Sequence, residues 1–214
     1  MRWKDTCRLH CCAVGLASLA LLLPSGTFAL DYPLQPEAVE EAYSLGRTTN
    51  HEQLADFLNQ YEHDFKYPSD DSDHPIAYVT SAEFQTPYEQ IVLKSLRSAQ
   101  YDKFKAAEDY EASAGAVFVR VVVALRINFT GPAPPADSFQ VAVSQTKPIE
   151  PVKTTSTVLC DPYNVVTAGE CMIYTREIVL QFDHDQFAPG KATINVVLPQ
   201  GKSLETKYNL DKLK

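Results

Sequence analysis

The chain has 214 residues, with 19 basic and 27 acidic side chains and a formal net charge of −8. An acidic chain repels nucleic-acid phosphates and anionic lipid surfaces, so neither is expected as a partner. Its length allows one or two small domains.

The first residues read as a secretory signal peptide over 1–29. Arg2, Lys4 and Arg8 give a positive start, and Ala13 to Leu23 is an apolar run. Pro24, Ser25 and Gly26 then lead to a small-residue site, Thr27-Phe28-Ala29, with cleavage expected after Ala29. The run of 11 residues is short of the roughly 20 that cross a bilayer, so no membrane span is expected in the mature chain. Cys11 and Cys12 precede the apolar run, which argues against a lipid anchor. The expected location is therefore secreted or periplasmic. Removing Arg2, Lys4, Arg8 and Asp5 leaves 16 basic and 26 acidic residues, a net charge of −10. Cys160 and Cys171 are the cysteines left, and in an oxidising compartment they are expected to form a disulfide. It would close a loop of 12 residues, counting both cysteines. In the chain-entropy model such a loop stabilises by about 2.5–3 kcal/mol.

Residues 30–113 read as a mostly helical region with about three helices and one strand. Pro36 suits a first helical turn, and Glu37, Glu40 and Glu41 favour its N-terminal half. Val39, Ala42 and Tyr43 form its apolar stripe, and Gly46 is expected as its C-terminal cap. Thr49-Asn50-His51-Glu52 reads as a capping box opening a second helix, with Thr49 as the cap. Leu54, Phe57, Leu58, Tyr61 and Phe65 mark one face of that helix, and the two helices are expected to form an α-hairpin. Tyr67 to Pro75 is a loop. Ile76 to Phe84 is a strand with Ile76, Tyr78, Ala82 and Phe84 on one face. Thr86-Pro87-Tyr88-Glu89 combines a Thr cap, a first-turn proline and a capping-box glutamate. The third helix is expected to run to about Ala107, with Glu108 to Ser113 a loop or linker.

Residues 114–214 read as an antiparallel β-sandwich of about six strands, giving an α+β chain. From Ala116 the apolar period changes from 3.6 to 2. Val117, Val119, Val121, Val123, Leu125, Ile127 and Phe129 form an unbroken row, opposed by Arg120, Arg126 and Asn128. A helix would place Arg120 among valines on every side. Further strands are marked by Phe139 to Val143, by Val152 to Leu159, and by Met172 to Phe182 with Arg176 the exception. The last two are marked by Ala192 to Leu198 and Leu204 to Leu210. Turn signals such as Gly131-Pro132, Pro189-Gly190 and Pro199-Gln200-Gly201 separate them. The spacing of Cys160 and Cys171 is too short for an inter-sheet immunoglobulin bridge, and the only tryptophan, Trp3, is in the leader.

Two acidic groups are weak candidates for chemistry. Asp70, Asp71 and Asp73 could contribute oxygens to Ca²⁺, although the EF-hand spacing is absent. The bland alternative is a solvated loop. Asp183 and Asp185 flank His184 at the end of a strand, where a metal or acid–base site competes with a simple turn. There is no His-Glu-x-x-His, no Gly-x-Ser-x-Gly, no phosphate loop and no dinucleotide fingerprint. The 11 tyrosines are the feature most suggestive of binding. Tyr61, Tyr88 and Tyr174 fall on expected core faces, whereas Tyr32, Tyr67, Tyr101, Tyr110 and Tyr163 fall in loops or element ends. Asn128-Phe129-Thr130 matches the N-glycosylation pattern. The leading expectation is an exported, non-enzymatic module for a protein or other extracellular ligand, with no cofactor. The alternatives are a secreted hydrolase with a non-local Asp/His site, and a calcium-stabilised extracellular module.

Overall fold

The computed structural model describes residues 30, 32–66, 77–113, 115–126, 138–160, 165–166, 170–171 and 173–214. Four α-helices accompany nine strands in two antiparallel sheets, and a two-stranded ribbon adds to these. No helix among the described residues is long and apolar enough to cross a membrane.

Helix α1 (Pro36–Gly46) starts at Pro36, whose missing N–H costs nothing in a first turn. Its buried face is Val39, Ala42 and Gly46. Gly46 does not cap the helix. It is the last helical residue, and it sits so close to α3 (Pro87–Arg97) that an added Cβ would collide with the Val92 carbonyl. That close approach makes α3 the main neighbour of α1, in place of the expected hairpin with α2.

Helix α2 (His51–Leu58) is capped by Asn50, not Thr49: the Asn50 side chain accepts from the Gln53 amide at 3.1 Å. The helix stops before Tyr61. The chain then forms strand β1 (Glu62–Asp64), paired with β2 (Ala77–Gln85), so Tyr61 and Phe65 leave the helix face assigned to them.

In β2 the pairing with β3 (Val117–Arg126) slips by one residue between Val79 and Ser81. The inward residues are therefore Ala77 and Val79 before the bulge, then Ala82 and Phe84 after it. Tyr78 turns the other way, because one inserted residue reverses which face each side chain takes. Strand β3 keeps its period: Val117, Val119, Val121, Val123 and Leu125 are all fully buried. Ile127 and Phe129 lie outside the described residues.

Helix α3 opens as expected, with Thr86 Oγ1 accepting from the Glu89 amide at 3.2 Å. It ends at Arg97, not near Ala107. The backbone turns extended at Ser98, and a separate helix, α4 (Lys103–Ser113), covers the stretch read as a loop. Arg47 holds this corner by donating to the carbonyls of Ser98 and Tyr101, the latter at 2.6 Å.

The first sheet has the order β1-β2-β3-β9-β6, with β9 spanning Ile173–Phe182 and β6 spanning Lys153–Cys160. It takes strands from both sides of residue 114. The second has the order β11-β10-β4-β5, over Ser203–Asn209, Lys191–Val197, Gln140–Ser144 and Pro148–Ile149. Strands β7 (Val165–Val166) and β8 (Glu170–Cys171) form the ribbon between β6 and β9. One hydrophobic cluster includes Val119, Val121 and Leu180 of the first sheet with Val143, Ile194 and Val196 of the second. The Tyr208 hydroxyl of β11 donates to the Ala82 carbonyl at 2.5 Å, joining the sheets directly. A second cluster gathers Val39, Ala42, Leu54, Tyr88, Ile91 and Val92 from the helices, and Phe57 packs against both.

Candidate functional site

The face of the first sheet opposite its core carries a charged network. Glu83 and Arg120 are register partners on β2 and β3. Arg120 Nη1 lies 3.4 Å from Glu83 Oε2, and its Nε donates to Glu177 on β9. Gln85 Nε2 donates to the same Glu83 oxygen at 2.6 Å. Next to this group, the first turn of α3 delivers Glu89, which is only 1% exposed. Neither Glu89 carboxyl oxygen has a hydrogen-bond partner among the described residues. Its pKa is pushed well above the usual carboxylate range, first by burial and then by the charges of Glu83 and Glu62, with Arg97 pulling the other way. Glu89 thus holds its proton in the interior, where no substrate reaches it. The capping-box reading sent this side chain back to the Thr86 amide. The Thr86 half of the box is present.

Open cavities lie elsewhere. A groove of about 530 Å³ runs between the sheets, lined by Phe139, Val141, Ile178 and Leu180 with Thr154 and Ser156 of β6. Arg176, the polar exception in the β9 row, is buried at its side. Its guanidinium lies 5.4 Å from the Phe139 ring centroid and donates to Ser156 Oγ at 3.1 Å. Strand β6 borders the groove and is the edge of its sheet, and its residues Lys153 to Val158 are all exposed. A cavity of about 470 Å³ opens between α1 and α2 over Tyr88, and one of about 350 Å³ lies between α1 and α4.

The chain matches no protein-family model and no curated protein.

The residues singled out from sequence are placed apart. Asp70, Asp71 and Asp73 lie outside the described residues, as does the Asn128 sequon. Asp183 precedes a short 3₁₀ turn, His184–Gln186, and its amide donates to Gln186 Oε1 at 2.9 Å. Gln186 in turn donates to the Glu150 carbonyl at 3.0 Å, so this motif organises a turn. The His184 ring stacks on Tyr32, with centroids 3.6 Å apart. Among the described residues no group of three His, Cys, Asp or Glu side chains is placed to hold a metal ion. Cys160 ends β6 and Cys171 ends β8, with their side chains outside the described set.

The tyrosines outside the expected core are mostly packed rather than displayed. Tyr101 is 7% exposed, and burial pushes its hydroxyl up to about 12. Tyr110 accepts from the Leu34 amide at 2.6 Å, and Tyr32 lies against Tyr110 and His184. Tyr67 and Tyr163 lie outside the described residues. Sequence reasoning missed Glu89, the free edge of β6 and the α1–α2 cavity. An acidic residue four places before two apolar ones, Ile91 and Val92, was the available signal for the first, since it falls on the inward side of the helical stripe.

Proposed function

We propose that this chain is an exported binding protein, built as a β-sandwich with a helical layer, and that a partner adds to the edge of strand β6. The sandwich reading follows from the single cluster shared by the two sheets. Export follows from the leader-like segment at residues 1–29 and the cysteine pair.

The observation that carries the function is the state of β6. It is eight residues long, carries one charge at Lys153 and contains no proline. Its described side chains, Lys153 to Val158, are exposed, and Val158 is 41% exposed. Edge strands are commonly blunted by prolines, several charges or covering segments. Here the unpaired edge borders an apolar groove. That is the arrangement used when an extended segment joins a sheet: backbone hydrogen bonds supply affinity and alternate side chains enter pockets.

Native mass spectrometry of the protein purified from its exporting host tests this, with a Thr155→Pro variant alongside. Proline removes a donor and resists edge pairing. A partner mass retained by the wild type and lost from a folded variant supports the reading. Identical spectra for both, whether bare or complexed, overturn it.

A further inference from the structure

The cavity between α1 and α2 has a lining that the β6 reading does not use. Its volume, about 470 Å³, lies within the range of small-ligand sites. The charged side chains lining it are Glu41, Glu52, Asp56 and Lys214, three carboxylates against one ammonium. Leu45, Phe57 and Tyr88 supply apolar and aromatic surface.

One end of this cavity already holds an ammonium. Lys214 Nζ sits 2.9 Å from Glu41 Oε1 and 5.3 Å from the Tyr88 ring centroid. A carboxylate beside an aromatic face is the pairing that recognises a desolvated cation. The chain's own lysine therefore shows which chemistry the cavity accommodates. Lys214 is held there by a second contact, its amide donating to the Tyr61 hydroxyl at 3.0 Å.

The remaining carboxylates lack such a partner. Glu52 and Asp56 pair with no cation among the described residues, and both are exposed. They stand four apart on α2, so they share a face, and like charges at that spacing disfavour the helix. A second cation entering beside Lys214 would relieve that repulsion and lie against Phe57.

We propose that this cavity binds an alkyl primary ammonium, held by Glu52 and Asp56 with its carbon chain over Phe57. A free diamine and a protein lysine side chain share this chemistry. The site is independent of β6, so a failure here leaves the β6 reading untouched.

Titration calorimetry at low ionic strength tests it, with 1,5-diaminopentane, Nα-acetyl-lysine methylamide and its Nε-acetylated, neutral counterpart as probes. Saturable binding of at least one amine is expected, with none for the neutral probe. The Glu52→Gln/Asp56→Asn variant changes exposed positions, so it should melt like the wild type yet bind at least tenfold more weakly. Binding of the diamine alone assigns a free amine, of the lysine derivative alone a lysine side chain, and of both the ammonium irrespective of source. No binding of either amine, equal binding of the neutral probe, or undiminished binding by the folded variant overturns the proposal.

Discussion

Gly46 of α1 meets Ser95 of α3 so closely that a Cβ built on Gly46 would lie 2.7 Å from the Ser95 Cβ. The same atom would press on the backbone carbonyl of Val92, which cannot swing aside as a side-chain tip can. Ser95 is itself fixed, because its hydroxyl donates to the Tyr43 carbonyl at 2.8 Å. Gly46→Ala is therefore expected to destabilise the fold. Helix propensity favours alanine by about 1 kcal/mol, but overpacking costs about 1–3 kcal/mol. A net loss of about 1–2 kcal/mol in urea unfolding is the expected outcome. An unchanged or raised midpoint would show that the helices separate freely.

Arg47 follows directly and closes the α3–α4 corner. Its guanidinium donates to two carbonyls, of Ser98 and Tyr101, more than fifty residues away. It also lies 5.7 Å from the Tyr43 ring centroid. Arg47→Ala should cost about 1.5–3 kcal/mol, the range for hydrogen bonds to a charged group. Arg47→Lys should recover only part of it, since an ammonium lacks the planar fork. Equal stability of all three proteins by denaturant titration would mean the corner holds itself.

These two residues also show where sequence reading stops. The row from Val117 to Leu125 was legible because a period of two needs no knowledge of the partner strands. The Thr86–Pro87 start was legible because caps and first-turn prolines act within one turn of chain. The end of α3 was not. Apolar residues continue at plausible helical spacing to Phe104, yet Phe104 is 74% exposed and α4 buries Ala106 instead. The break is set by Arg47, a contact across 51 residues. The bulge at Thr80 was hidden for a similar reason: register is a property of the pair β2–β3, not of either strand alone. Of the candidate site, Glu89 was read by its local capping pattern, while its burial depends on packing against β2.

Val121 tests the central strand. It is fully buried between Ala82 on β2 and Ile178 on β9, its register partners. Val121→Asp would place an unpaired carboxylate there, and the cost of burying it exceeds the few kcal/mol by which small domains are stable. The variant should fail to fold, as judged by loss of soluble, cooperatively melting protein. A normal melt would mean that residue 121 does not face the core.

Cys160→Ser addresses the expected disulfide. The two cysteines end β6 and β8, on either side of the β7–β8 ribbon. Under oxidising conditions the variant should lose about 2.5–3 kcal/mol, and under reducing conditions it should match the wild type. Two free thiols in the exported protein, counted with a thiol reagent, would remove the bridge from consideration.

Glu89 gives the fold a pH dependence whose sign can be worked out. Its folded pKa is raised, first by burial and then by Glu83 and Glu62, so between the unfolded and folded values the native state binds the extra proton. Stability from this group is thus fully present below the unfolded pKa and is lost as pH rises through the folded one. The slope over that window reaches about 1.4 kcal/mol per pH unit for one proton. Glu83, by contrast, has Arg120 and Gln85 as partners, so it is Glu89 that holds the proton of the pair. Glu89→Gln keeps the shape and removes the ionisation. At pH 4 the variant and the wild type should unfold at similar denaturant concentrations. By pH 7 and above the variant should be the more stable, with the gap widening until the folded pKa is passed. Parallel pH profiles for the two proteins would mean that Glu89 ionises in place without penalty, and that the interior beside Glu83 is open to water.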